Sequence, residues 1–202
     1  MSDIAMALLR HFYPEDTPLR RLLLHHSRQV ADRALLIAAR HPELELDTQL
    51  LEAGAMLHDI GICQCDAPGI FCTGTQPYIC HGTLGAQMLR SLAGTALISD
   101  CADGCQVQRM LTAEALEPLA RICERHTGTG LTRNQIEERG LPLPPTDLVP
   151  QTMEEQVVCY ADKFYSKSHP ERERTVEETE RSLRKFGEEG CRKFLDWAQR
   201  FE

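Results

Sequence analysis

Four histidines and two aspartates in this chain combine metal-binding residue types with positions in short apolar segments. Imidazoles and carboxylates are costly to bury unless something binds them. Together they form a mixed nitrogen and oxygen donor set, which suits divalent transition metals and favours two ions over one. The six residues are His26, His58, Asp59, His81, His126 and Asp162.

The adjacent pair His58 and Asp59 indicates which chemistry such a set would perform. Adjacent side chains lie about 100° apart around a helix, so both reach one centre only near the helix end. A carboxylate there can bridge two cations, while each imidazole binds one. Two bridged cations generate hydroxide near neutral pH and bind an anionic oxygen. The pattern therefore favours phosphoester hydrolysis.

Helical periodicity dominates the segments that must position these residues. Apolar residues recur at intervals of three and four over residues 4–12, 19–40, 48–60, 81–92, 113–126 and 153–167. Thr17 or Pro18 begins the second segment, and His41-Pro42 ends it. Asp47 is a typical N-cap for the third.

Other helix boundaries follow from capping patterns and glycines. Gly61 is expected to stop the helix that carries His58. Thr132 with Gln135 has the spacing of a capping box, and Thr152 with Glu155 repeats it. The proline-rich stretch 141–150 predicts a rigid connection.

The remaining segments lack a clear period. Residues 62–79 predict a long loop, and residues 94–112 a loop with a short helix. Residues 171–202 predict a charged helical pair broken near Gly187 and Gly190. No strand is expected. The chain is therefore predicted to be all-α, with a core at 1–168 and a C-terminal helical extension at 169–202 packed on the same domain.

Length and charge narrow the function. A chain of 202 residues fits one domain, and its net charge of −8 argues against binding to duplex nucleic acid or an anionic membrane. No stretch approaches 18 apolar residues, and no secretory signal is recognised at the start. Nine cysteines without a CxxC pair fit a reducing compartment. We expect a cytoplasmic protein.

Five segments in order resemble the HD-domain metal-dependent phosphohydrolases of the HDIG type. They are HSRQVAD, AGAMLHDIG, CHGTLGAQML, ERHTGTGLT and VVCYADKFYSK, within residues 20–168. The HG and HT segments also look similar to those of bacterial HD-type diadenosine-tetraphosphate hydrolases. A group of small uncharacterised HDIG proteins shares the HTGxGLT and LVPxTxEE segments. The resemblance implies a helical bundle and a dinuclear metal site.

The resemblance also implies a division of the donors. His26, His58, Asp59 and Asp162 would hold one ion, and His81 and His126 the second, with Asp59 bridging. The implied function is hydrolysis of a nucleotide or another small phosphoester by metal-bound hydroxide, with Asp59 orienting it. The two ions would be divalent, and Fe, Mn, Co, Ni, Zn and Mg remain open.

One departure from the family concerns the substrate phosphate. Many HD phosphohydrolases have a lysine soon after the HD pair, whereas this chain continues as HDIGICQC. Lys163 is the candidate catalytic cation, offsetting charge that develops on the substrate. The candidate substrate-binding cations are Arg28, Arg125, Lys163 and Lys167.

Two other functions remain open from the sequence. The same six-ligand HD scaffold is used by di-iron oxygenases, such as myo-inositol oxygenase and an organophosphonate-cleaving oxygenase. A non-catalytic nucleotide-binding module is the third interpretation. A homodimer through the tail helices is also left open.

Other candidate residues can be interpreted either as ordinary surface, loop or core residues or as functional ones. His25 neighbours His26 and competes with it, whereas His11, His41 and His169 are interpreted as surface residues. The loop over residues 66–78 lies between two ligands and should pass close to the metals, where its backbone N–H groups could bind phosphate. Cys63, Cys65, Cys72 and Cys80 are interpreted as loop or core thiols, with a structural zinc site as the alternative.

Overall fold

The computed structural model describes residues 2–100 and 106–202, and this part of the chain is mostly helical. It contains nine α-helices. They are α1 Ser2–Phe12, α2 Pro18–Arg40, α3 Thr48–Leu57, α4 His81–Arg90, α5 Ala113–Arg125, α6 Arg133–Glu138, α7 Met153–Asp162, α8 Val176–Arg184 and α9 Glu188–Phe201. The all-α prediction is therefore confirmed at the level of fold class.

Helix starts follow the capping residues of the sequence. The Thr17 side chain accepts a hydrogen bond from Arg20 N–H at the start of α2. Asp47 Oδ1 accepts hydrogen bonds from Gln49 N–H and Leu50 N–H, at 2.9 and 3.0 Å, at the start of α3. Each cap satisfies backbone donors that the first helical turn leaves unpaired.

The two proposed capping boxes differ in outcome. Thr132 and Gln135 form a complete box at the start of α6. At α7, Thr152 accepts from Glu155 N–H, but the Glu155 carboxylate accepts from Gln151 N–H and pairs with Arg125 instead. The second box is therefore incomplete because a buried ion pair holds the glutamate.

Two short antiparallel ribbons correct the expectation that strands are absent. In the segment 94–112, β3 Ala96–Asp100 pairs with β4 Gln106–Met110, with Ala96 opposite Met110, where a loop with a short helix was expected. Residues 101–105 lie outside the described part. Within the loop 62–79, β1 Asp66–Ala67 pairs with β2 Cys72–Thr73. Such ribbons depend on cross-strand contacts, and Leu97 of β3 is buried in the core.

The core lies between the helices that carry the candidate ligands. Helix α3 packs on α2 and α5, and α7 packs on α2, α3 and α5. Apolar side chains at these contacts are excluded from solvent, among them Leu23, Leu57, Leu119 and Val158. Burial of this apolar surface is the main stabilising contribution to the bundle.

Gly61 allows α4 to approach the end of α3, which differs from the helix stop expected of it. Helix α3 already ends at Leu57, and Gly61 lies in the 3-10 turn Ile60–Gln64. A Cβ on Gly61 would lie 2.2 Å from the His81 carbonyl oxygen and 2.4 Å from Gly85 N. Only glycine permits this contact between backbones.

Helix α9 packs on α7 and on α8. Gly187, with φ of 129°, separates α8 from α9, whereas Gly190 lies inside α9 and does not break it. Phe194 and Phe201 of α9 are fully buried against Tyr160 of α7, with ring centroids 5.1 and 5.4 Å away. Helix α9 is therefore fixed to the helix that ends at Asp162.

The longest helix, α2, has 23 residues and carries charged side chains such as Arg28, Asp32 and Arg33 along its length. Within residues 2–100 and 106–202, none of the helices has the length and hydrophobicity needed to cross a lipid bilayer.

Candidate metal centre

The six candidate ligands lie in two groups that share one carboxylate. The donor atoms within each group lie within 4.8 Å of one another. The first group is His26, His58, Asp59 and Asp162, and the second is Asp59, His81 and His126. This division equals the one that the family resemblance implies.

Helix ends position most of these residues. His58 and His126 directly follow α3 and α5, Asp162 is the last residue of α7, and His81 is the first of α4. His26 instead lies within α2, on its buried face. Because several helices end at the same place, residues far apart in sequence meet at one point.

The cluster is almost completely excluded from solvent. His58 and Asp59 are 0% exposed, and His26, His81 and His126 are 6% exposed or less. Polar groups at such depth need partners, because desolvation without compensation is costly.

Three of the imidazoles have a defined tautomer. Each places Nδ1 against the carbonyl oxygen three residues earlier: His58 against Ala55 at 2.6 Å, His81 against Tyr78 at 2.6 Å, and His126 against Cys123 at 2.7 Å. A carbonyl oxygen only accepts, so each Nδ1 carries the proton and donates it. In the neutral ring, Nε2 is then a free lone pair aimed into the cluster.

The second group, Asp59, His81 and His126, is suited to a cation because Nε2 lone pairs point into it. His81 Nε2 and His126 Nε2 lie 3.0 Å apart. Burial lowers the pKa of His81 to about 3 and also lowers the pKa of His126, so both rings are neutral at pH 7. Two lone pairs that face each other repel, and a shared metal ion would remove the repulsion.

The first group combines charges of both signs. His26 Nε2 lies 3.0 Å from Asp162 Oδ1, and His58 Nε2 lies 3.0 Å from Asp59 Oδ2. Burial disfavours a charged His58, but Asp59 and Asp162 outweigh it and raise the pKa of His58 to about 9. The pKa of both carboxyls is held well below the ordinary value, against burial, by nearby cationic groups. Imidazoles beside ionised carboxylates suit several divalent metals.

Two lysines place positive charge beside the cluster. Lys163 Nζ lies 2.6 Å from Asp162 Oδ2 and 3.0 Å from the His126 carbonyl oxygen. Lys167 Nζ forms an ion pair with Asp59 Oδ2. Burial opposes their charge, but Asp162 and Asp59 outweigh it, so the pKa of each lysine is raised. Lys167 thus reaches the HD carboxylate, although HDIGICQC contains no lysine.

The structure does not bring the two candidate arginines to this position. Arg28 is 44% exposed at its side chain and pairs with Glu52 at 3.1 Å. Arg125 pairs with the buried Glu155 at 3.0 Å. Neither arginine lines the cavity beside the metal ligands. Their role in substrate binding stays a prediction.

A cavity of about 680 Å³ opens beside the ligands His81, His126 and Asp162. This volume is within the range of small-molecule sites. Lys163 and Lys167 line it, and so do Ala67, Gly69 and Ile70 of the loop predicted to pass near the metals. The loop is therefore a wall of the cavity.

Tyr78 is a cavity residue that the sequence reasoning missed. Its ring stacks on the His81 ring, with centroids 4.7 Å apart and planes inclined by 23°. Burial raises the pKa of its hydroxyl, which stays protonated at neutral pH and can donate a hydrogen bond. Tyr78 precedes the predicted ligand His81 by three residues, and this spacing could have indicated from the sequence that it lies near the metal ligands.

The other histidines and the loop cysteines lie apart from the two groups. His25 Nε2 lies 3.3 Å from the Pro170 carbonyl oxygen on the surface, and His41 pairs with Glu43. Cys63, Cys65, Cys72 and Cys80 are free thiols, and none belongs to a candidate metal group within the described residues. Burial raises the pKa of Cys65 to about 12 and that of Cys72 to about 11. Their interpretation as loop or core thiols stays a prediction.

Comparison with known families agrees with this geometry. The chain matches the family described as HD domain over residues 23–166, a span that contains all six candidate ligands. The protein therefore belongs to the HD domain family.

Relatives of this chain carry different descriptions. It is 30% identical over 162 residues to an uncharacterised protein of Methanocaldococcus jannaschii, a match that covers 79% of this chain and 72% of that protein. It is 30% identical over 145 residues to a tRNA (cytidine(56)-2'-O)-methyltransferase of Picrophilus torridus. That match covers 72% of this chain but 32% of the methyltransferase, so the described activity is that of a much longer protein.

Among solved structures, the chain is similar to the HD domain of the L. monocytogenes phosphodiesterase PgpH. The TM-score is 0.46 at 15% identity, and the match covers 90% of this chain and 95% of that one. The same domain has been solved in complex with cyclic-di-AMP. Similarity at this level is not evidence of a shared substrate.

Proposed function

We propose that this protein is a metal-dependent phosphohydrolase that acts on a nucleotide or another small phosphoester. The observation that carries the proposal is the pair of donor groups joined by Asp59, with Lys163 and Lys167 beside them at a cavity. The assignment of the six residues as ligands of two divalent ions is part of the proposal. Ions bound there would supply Lewis-acid chemistry, polarising phosphoryl oxygens and lowering the pKa of water.

The protein's own groups would bind and orient the anionic substrate. Lys163 is fixed by Asp162 and the His126 carbonyl, so its charge is held at the cavity wall without further ordering. Lys167 reaches the same cavity beside Asp59. Preorganised cations at low dielectric stabilise charge that develops on a phosphoryl group. Tyr78 would donate a hydrogen bond to a substrate oxygen.

These cations favour an anionic substrate, which the hydrolase interpretation requires, over the neutral polyol of an oxygenase of the myo-inositol type. The donor set by itself suits iron as well as other divalent metals. Two lysines beside the ligands, in a chain with a net charge of −8, instead indicate selection for an anionic substrate.

The test begins with metal-free protein reconstituted separately with each divalent metal. Hydrolysis is then measured on p-nitrophenyl phosphate, bis(p-nitrophenyl) phosphate and a nucleotide panel. The panel includes diadenosine polyphosphates because of the HG and HT segments. We expect hydrolysis that requires metal and is lost in Asp59→Asn together with bound metal. Fully loaded protein without hydrolysis would refute the proposal, and oxygen consumption by the iron form would support the oxygenase.

Lys167→Met separates substrate binding from metal binding. We expect kcat/KM to fall by about 100-fold, the order of effect for losing a preorganised electrostatic contact. Metal content, measured by elemental analysis, should be unchanged. Lys185→Met is the matched control, because Lys185 is exposed after α8, and should keep full activity. Equal activity of the two variants would remove Lys167 from the proposed site.

A further inference from the structure

A second cavity continues from the first and extends away from the metal ligands. Its volume is about 540 Å³. Both cavities are lined by Ile79, Thr127, Lys163, Arg174 and Leu183. Because they share these walls, the two cavities form adjoining compartments of one cleft.

The C-terminal segment 169–202 supplies one wall of the second compartment. Leu183 of α8, Phe186 of the connection and Lys193 of α9 line it, opposite Thr129 and Leu131 of the HTGTGLT segment. The match to the HD domain family ends at residue 166. The wall formed by Leu183, Phe186 and Lys193 therefore lies outside the segment that matches the family.

The lining favours an apolar, planar ligand group. Leu131, Leu141 and Val149 lie on the side of the core, and Leu183 and Phe186 on the side of the extension. Phe186 is 71% exposed, although a large aromatic side chain is normally buried. An exposed aromatic ring at a cavity wall is suited to stacking on a ligand ring.

Arg174 stands where the two compartments meet and lines both. Its backbone N–H donates to the Phe164 carbonyl oxygen at 2.8 Å, which fixes its position relative to α7. Within the described residues, its half-buried guanidinium has neither a hydrogen bond nor an ion pair. The neighbouring Arg172 and Arg184, in contrast, pair with Glu178 and Glu180. An unpaired guanidinium in a cleft is suited to an anionic ligand group.

We propose that the second compartment binds the apolar, ring-bearing part of the substrate, and that Arg174 binds a second anionic group of the same molecule. The substrate class is an organic phosphate with a ring and at least two anionic groups. The inference rests on the proposed function for the position of the scissile phosphoester, but the second compartment can be tested by binding alone.

The test uses isothermal titration calorimetry of the metal-loaded full chain with three probes. α,β-Methylene adenosine diphosphate has a ring and two phosphoryl groups joined by a stable bridge. Adenosine has the ring alone, and methylenediphosphonate has the anionic part alone. We expect the complete probe to bind more tightly than either fragment. Failure of all three to bind at millimolar concentration would overturn the inference.

Two variants and a matched control separate the contributions of Arg174 and of the second compartment to probe binding. Arg174→Gln should lower the affinity for the complete probe by about tenfold or more, which is the contribution of a charged hydrogen bond. The affinity for adenosine should be unchanged. Leu141 lines only the second compartment, so Leu141→Trp should fill that compartment alone. We expect lower affinity for adenosine and for the complete probe, and unchanged affinity for methylenediphosphonate. Arg181→Gln removes the same charge from an exposed position on α8 and should change nothing.

The outcomes separate this inference from the proposed function. Equal affinities of the parent, Arg174→Gln and Arg181→Gln proteins for the complete probe would overturn the role of Arg174. Unchanged adenosine binding in a folded Leu141→Trp protein, checked by its thermal unfolding midpoint, would overturn the compartment. If the expected pattern appears in a protein that hydrolyses no phosphoester, the proposed function fails and the binding site stands.

Discussion

At the scale of single residues, the hydrogen bond on one side of an imidazole determines what the other side can do. His58, His81 and His126 each donate Nδ1–H to a carbonyl of their own helical turn. Their Nε2 atoms are thereby directed toward the cluster before any ion binds. This orientation reduces the entropy lost on metal binding.

The neighbours His26 and His25 provide a matched test of the first group. His26→Ala removes a buried nitrogen that lies 3.0 Å from Asp162 Oδ1, whereas His25 faces Pro170 on the surface. We expect His26→Ala to weaken metal binding by more than about 100-fold and His25→Ala to leave it unchanged. Elemental analysis after dialysis measures both, and full metal retention in His26→Ala would exclude His26 as a ligand.

At the scale of elements, the site depends on how closely helices can approach. Gly61 brings the start of α4, and with it His81, against the turn that follows His58 and Asp59. The buried pair of Arg125 and Glu155 joins the end of α5, next to His126, to the start of α7. Arg125 therefore has a contact that joins two helices of the site, beside its predicted role in substrate binding.

Gly61→Ala tests the helix contact, with Gly69→Ala as its control. The new Cβ at Gly61 would overlap backbone atoms of His81 and Gly85, which cannot move aside as a flexible side chain would. We expect a loss of about 1–3 kcal/mol in the free energy of unfolding, typical of overpacking, and weaker binding of the second ion. A Cβ added at Gly69 would meet no atom within 4 Å, so Gly69→Ala should change stability by less than about 1 kcal/mol.

Urea denaturation followed by circular dichroism measures both glycine variants. Equal stability of Gly61→Ala and Gly69→Ala would show that α4 can move away without cost. The contact at Gly61 would then not determine the distance between the two halves of the centre.

At the scale of the whole molecule, the C-terminal extension has both contacts with the core and a share of the cavity wall. Its buried rings pack on α7, while Arg174, Leu183 and Phe186 line the cleft. We propose that residues 169–202 are an integral part of the domain and not a removable tail. A chain that is acidic overall thus places its unpaired Arg174 and the lysines Lys163 and Lys167 at one cleft.

Two phenylalanines of the extension test this integration. Phe194 is 0% exposed and Phe186 is 71% exposed. Phe194→Ala should lower the free energy of unfolding by about 3–5 kcal/mol, because it leaves a cavity against Tyr160. Phe186→Ala should change it by less than about 0.5 kcal/mol. Denaturant unfolding measures the free energy of unfolding of both variants. A small change in Phe194→Ala would mean that α9 contributes little to the stability of the fold.

The sequence by itself determined the properties that depend on near neighbours. Caps such as Asp47 and Thr132 set where helices begin, and apolar periodicity set which faces are buried. The residue types at six positions, read with the HD-domain resemblance, predicted both donor groups. Strands β3 and β4 were missed because a short ribbon is stabilised by contacts across the turn and with the core, which local pattern does not record.

Only the tertiary structure decided which groups meet across long separations in the chain. The approach of Lys167 to Asp59, the facing Nε2 atoms of His81 and His126, and the position of Arg174 between two compartments are of this kind. The same packing directed Arg28 and Arg125 to glutamates. A charged side chain binds whichever partner the fold brings near, so its role follows from the packing of whole helices and not from its own segment.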